Sequence, residues 1–281
     1  MILRQTGKPI LKHFTYKGRL ACPRDMSVSK PYCRLWRPIK GYDPLHFDLN
    51  SPNIVDPDAD LKYLEDERFA CQKEMASSVI TSRLLFQDLY DLFNYIEPDD
   101  KNLKAFSHRI YELLLRTATE VESNFKGIMI ANGYKDPKQM TDYFKVASVA
   151  RLSEYKLQFT RWSSSRSFTP FAEWNSSVYV AIPWYQSYNK VKHNRYKYFE
   201  LANLENLMNA MAALLSILYA QIGERMDIGY SEGISVCQDV QDKLESGKFT
   251  LYAPKFPETE QYEFTWDTLK TEQEPVLKYS F

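Results

Sequence analysis

The chain has 281 residues, 44% hydrophobic and 15% aromatic, which is enough apolar surface for a sizeable core. Lys+Arg and Asp+Glu both number 36, so no net field draws the whole protein toward nucleic acid or a membrane. Residues 1–9 lack an apolar signal-peptide core, and no run of about 18 apolar residues predicts a membrane span.

Residues 1–58 hold seven prolines, from Pro9 to Pro57, and no helical period, which predicts an extended arm. Between Met1 and Tyr42 this arm carries ten basic residues against one acid, Asp25, so the body is net acidic. Two readings of the arm stand. It folds over its own acidic body, or it touches phosphates with help from Phe14, Tyr16, Tyr32 and Trp36. Cys22, Cys33, Cys71 and Cys237 are scattered, the usage of a reduced cytoplasmic protein. His13, Cys22, Cys33 and His46 lie too far apart, with no CxxC to anchor them, for a zinc site to be expected.

Helical periodicity begins near Ala59. Leu85, Leu89, Leu92 and Ile96 share one face, which the Glu97-Pro98-Asp99-Asp100 break ends. Leu103, Phe106, Ile110, Leu114, Ala118, Val121, Phe125 and Ile128 line a second helix, stopped by Asn132-Gly133. A shorter helix is predicted from Pro137 to Leu152. Alternation from Glu154 to Trp162 predicts a short strand, so residues 154–181 read as a loop-and-strand insertion in a helical bundle spanning 59–245. Pro183 suits a first helical turn, and Leu201, Leu204, Met208, Met211, Leu215 and Leu218 form a strong core stripe. A helix near Val236–Leu244 follows. Residues 246–281 read as a hairpin-like segment pairing Lys248–Ala253 with Gln261–Trp266. The fold class is mainly α, a bundle with an extended arm and a small β appendage.

Most catalytic patterns fail on context. Gly229-Tyr230-Ser231-Glu232-Gly233 fits GxSxG, but a helix precedes it and no His follows Ser231. No phosphate loop, GxGxxG or HExxH occurs, so no cofactor and no metal are expected. Trp162, Phe168, Phe171 and Trp174 are placed either at the mouth of a small-molecule pocket or in the core.

One cluster survives. If the stretch from Trp184 is helical, Asn189 and His193 are i,i+4 neighbours, with Gln186 a turn earlier, while Trp184, Tyr188 and Val191 pack inward. Lys192 and Arg195 flank that face. An imidazole there is suited to accept a proton, with the cations holding a phosphate. The alternative is structural, with His193 and Asn189 bonding buried polar groups where helices meet. On the preceding long helix, Glu122 and Lys126 form an i,i+4 pair, and Glu122 is also placed to orient Lys192 or Arg195.

These segments together are similar to the HEPN-like helical proteins of prokaryotes. The likeness is carried by ELLLRTATEVESNFK, then Trp184, Tyr188, Asn189, Lys192, His193 and Arg195, then FELANLENLMNAMAALLSIL, over roughly residues 60–222. It implies a bundle of four or five helices forming a homodimer. In active members it implies metal-independent RNA cleavage by an Arg and a His four to six residues beyond it. His193 matches that histidine and Asn189 the polar residue paired with it. Gln186, Ser187 and Tyr188 stand where the Arg should fall, so Lys192 or Arg195 substitutes, or cleavage is absent. The resemblance therefore implies an RNA-interacting effector of a toxin or defence type. Its catalytic set would be His193, Asn189, Arg195 and Lys192, with Glu122, Lys126, Gln186 and Tyr188 binding substrate. The alternative is a non-catalytic protein-interaction or scaffold module.

Overall fold

The computed structural model describes residues 29–40, 71–223, 234–237, 248–264 and 266–281. Its helices are α1 (Cys71–Leu92), α2 (His108–Ala131), α3 (Met140–Val149), α4 (Pro183–His193), α5 (Arg195–Tyr198), α6 (Leu204–Ile222) and α7 (Trp266–Thr271). Its strands are β1 (Lys156–Phe159), β2 (Ser167–Phe168), β3 (Ile234–Cys237) and β4 (Phe249–Tyr252). The protein is mainly helical with one small sheet. Among the described residues no helix is long and apolar enough to cross a membrane.

α6 is the axis of the bundle. Asn203 caps it, its Oδ1 accepting the Asn206 backbone N–H at 3.1 Å. Beyond the first turn almost every residue of α6 is buried, as a helix surrounded by others must be, and α2, α1 and α4 pack around it. α2 is capped by Ser107, whose Oγ accepts the Ile110 N–H at 3.2 Å. It buries one stripe from Ile110 to Met129, and Gly133 just beyond it takes a φ of 85°. Leu103 and Phe106, expected on that helix, precede it, and Phe106 is largely exposed.

The sheet has the order β2-β1-β4-β3. β1 pairs antiparallel with β2 and β4, whereas β3 and β4 run parallel. This corrects the expected hairpin. β4 sits between β1 and β3, all four of its residues buried, and the segment meant to pair with it turns elsewhere. Tyr262 exchanges backbone bonds with Pro38 and Lys40, at 2.9 and 2.8 Å, and Trp266–Thr271 is α7. The helix expected near Val236–Leu244 is corrected in part, since Val236 and Cys237 belong to β3 and residues 238–247 lie outside the described residues. Phe159 stacks on Phe93 at 4.9 Å and on Phe249 at 4.5 Å, which joins the sheet to the helical core. Trp162, Phe168, Phe171 and Trp174 are all buried in that core.

Residues 29–40 belong to the same core. The Trp36 N–H donates to the Ala220 carbonyl at 2.8 Å, the Arg34 Nε to Gln221 Oε1 at 2.8 Å, and Asn132 Nδ2 to the Cys33 carbonyl at 2.7 Å. Leu277 pairs with Pro31 and Cys33 from the other side. Arg34 and Arg37 are buried, so this part of the basic segment packs against its own body. Phe14, Tyr16, His13, Cys22 and His46, like the GxSxG stretch at 229–233, lie outside the described residues.

Candidate functional site

α4 places the cluster singled out in the sequence. Pro183 occupies its first turn, where a missing N–H costs nothing. Trp184, Tyr188 and Val191 are buried, and the Trp184 indole donates to the Pro170 carbonyl at 2.9 Å. The helix stops at Asn194, whose side chain accepts the Lys197 N–H at 3.1 Å and so starts α5. The chain turns a corner there that lifts its polar residues into solvent.

Two environments result. On the inner side, the Tyr185 hydroxyl donates to Glu122 Oε1 at 2.8 Å, and the Asn189 side chain bonds the same hydroxyl. Lys192 Nζ donates to the Tyr188 hydroxyl at 3.0 Å, one helical turn back. Burial, with Glu122 accepting its proton, pushes the Tyr185 phenol up. Burial likewise raises the phenol of Tyr143, stacked on Phe125. Lys192 is held above its ordinary value by the Tyr188 hydroxyl and, at longer range, by Glu122.

On the outer side, Lys190, His193, Arg195 and Lys197 are exposed, and the Tyr196 ring is fully so. None of Lys190, Lys192, Arg195 and Lys197 has an ion-pair partner among the described residues, although Lys104, Arg109 and Arg166 each find a carboxylate. The Arg195 guanidinium lies 5.4 Å over the Tyr111 ring, which steadies it without neutralising it. Phe199 closes this edge against Tyr111 and His108, its ring 4.8 Å from the imidazole.

The structure therefore divides the expected site. Asn189, Lys192, Tyr188 and Glu122 meet in one network through Tyr185. His193, Gln186 and Arg195 face solvent beside it, so His193 is no buried ligand of the helix junction. Glu122 and Lys126 form no ion pair, and Glu122 Oε1 accepts from Tyr185 instead. Nor does Glu122 orient Arg195, which rests on Tyr111. Sequence reasoning missed Tyr185, Tyr143 and Tyr196. Tyr185 was findable, standing i,i+4 to Asn189 as Tyr188 does to Lys192. Among the described residues no group of three or more His, Cys, Asp or Glu gathers as a metal site. No protein-family model, curated protein or solved structure matches the chain.

Proposed function

We propose that this chain is an RNA-interacting effector of the HEPN-like type, and that the α4–α5 corner is its RNA-binding surface. One observation carries the reading. Four cations with no carboxylate partner among the described residues, an exposed imidazole and a fully exposed tyrosine ring share the α4–α5 corner. Unpaired cations neutralise phosphates and release counterions, and a bare ring offers a stacking platform to any unpaired base. A protein with no net charge gains nothing from its overall field, so a local patch has to supply the attraction.

Binding is better supported than cleavage. His193 has the exposure and the neighbouring cations that phosphodiester chemistry requires, but among the described residues no side chain orients its ring. The catalytic reading rests on His193 between Lys192 and Arg195, and one assay separates the two. Labelled single-stranded RNA is titrated with the protein at about 50 mM salt, with chelator present and the RNA recovered for sizing. Binding that the Lys190→Ala/Arg195→Ala/Lys197→Ala variant loses supports the surface. Cleavage that a folded His193→Ala variant loses supports the enzyme. No binding by the wild type overturns the RNA reading.

A further inference from the structure

Between α2, α3 and α4 the fold leaves hydrogen-bonding capacity unused. Glu122 is half-buried and commits Oε1 to Tyr185, while its other oxygen has no partner among the described residues. Tyr143 is 1% exposed, and its buried hydroxyl has no hydrogen-bond partner among the described residues. The charges that reach this hydroxyl are those of Glu122 and Asp142, with the Tyr188 phenol beyond them. Asp142 is already occupied, accepting from the Lys138 and Gln139 N–H groups and the Tyr134 hydroxyl. Buried polar groups normally find partners, so the Tyr143 hydroxyl and the second Glu122 oxygen stand out in this floor.

The same floor is tied to the basic corner. The Tyr185 and Tyr188 rings lie 5.4 Å apart. The first hydroxyl holds Glu122 and the second receives Lys192, which belongs to the exposed cationic set. A nucleotide whose phosphate sits on Lys192 would carry its base toward Glu122.

A carboxylate only accepts, so it selects a base by the donors on its edge. Guanine presents two adjacent N–H groups, at N1 and N2. Adenine and cytosine set a ring acceptor beside their amine, and uracil flanks its single N–H with carbonyls, each of which repels a carboxylate. We propose that Glu122 reads a guanine in single-stranded RNA, its carboxylate accepting from N1–H and N2–H while Tyr185 braces it and Lys192 holds the adjoining phosphate. Glu122 is then the specificity residue of the RNA surface proposed above, on which this assignment depends.

The test uses the full chain and nine-nucleotide oligouridines bearing one central guanine, adenine or cytosine. The guanine oligomer should bind about tenfold more tightly than the other two, the discrimination of one good bidentate pair. In Glu122→Gln an acceptor becomes a donor, and the ratio should fall to about one. In Tyr185→Phe, which keeps the carboxylate but removes its brace, the ratio should fall part of the way. Lys30→Ala, whose ammonium pairs with Glu272 near the C-terminus, should keep the full ratio. Equal binding of all three oligomers by the wild type, or an intact ratio in folded Glu122→Gln, overturns the guanine assignment and leaves RNA binding standing. Failure of every oligomer to bind overturns both.

Discussion

The Tyr185 hydroxyl donates to the Glu122 carboxylate across the α2–α4 junction at 2.8 Å, and this bond fastens α4 to α2. Removing the hydroxyl in Tyr185→Phe leaves a half-buried carboxylate without its donor. The expected cost is about 1–2 kcal/mol, below the full value for a buried charged pair because both groups reach solvent. Urea denaturation should show a lower midpoint with an unchanged slope. A midpoint equal to the wild type would mean that water replaces the phenol freely.

Salt dependence reports on the α4–α5 corner. Each cation that meets a phosphate of single-stranded RNA adds about 0.7 to the slope of log affinity against log salt. Lys197→Ala and Lys190→Ala should each reduce that slope by about this amount and weaken all sequences alike. Tyr196→Ala should weaken binding by about 1–3 kcal/mol per stacked base while leaving the slope unchanged. If the lysine variants keep the wild-type slope, the RNA lies elsewhere.

Much of this was legible beforehand, and the failures share a cause. The α6 stripe and the inward set Trp184, Tyr188 and Val191 follow from period alone, because burial of one face repeats every turn. What period cannot show is which distant group competes for a polar atom. Glu122 has Lys126 at the favourable spacing, yet Tyr185, 63 residues away, takes its oxygen. Phe249–Tyr252 was given its nearest neighbour as a partner, whereas its true partners are 156–159 and 234–237. For residues 29–40 the reading of an arm folded over its own body holds, but nothing in a local window shows that Arg34 and Arg37 would be buried against α6 and the C-terminal segment.

Alkaline pH provides a check on the buried phenols. Tyr143, Tyr155 and Tyr185 all start from a reference of 10.0 and are raised, in each case first by burial. The unfolded chain therefore releases these protons at lower pH than the folded one. Their contribution to stability is complete below pH 10 and is lost as pH rises beyond it. Denaturation midpoints measured from pH 9 to 12 should fall steadily above 10, and less steeply in Tyr143→Phe. A flat profile would show these phenols ionising in the folded state like free tyrosine.

At the end of α6, Gly223 takes a φ of 66° with ψ of −141°, a region essentially restricted to glycine. A Cβ there would also stand 2.1 Å from the Trp36 indole. Gly223→Ala combines backbone strain with displacement of Trp36, and is expected to cost about 1–3 kcal/mol from the strain alone. Trp36→Ala in the same background separates the two, since it removes the collision and leaves the strain. If Gly223→Ala is no worse in wild type than in Trp36→Ala, the indole yields without penalty.

Arg151 and Glu260 are each almost fully buried and lie 3.2 Å apart, with Glu154 on the Arg151 Nη1 at 2.8 Å. They fasten the C-terminal segment to the turn before β1. The Arg151 backbone is left-handed, with a φ of 51°, a conformation that costs a non-glycine residue about 1–3 kcal/mol. Breaking such a pair costs more than never having it, because the survivor remains buried and charged. Glu260→Ala should therefore lose about 3–5 kcal/mol, whereas Arg151→Met/Glu260→Leu together should lose far less than the sum of the single changes. A double-mutant cycle on urea midpoints measures the difference. If the two single changes add to the double, the bond between Arg151 and Glu260 contributes nothing, and the backbone bonds of Tyr262 to Pro38 and Lys40, with the buried Tyr262 ring, hold the segment down.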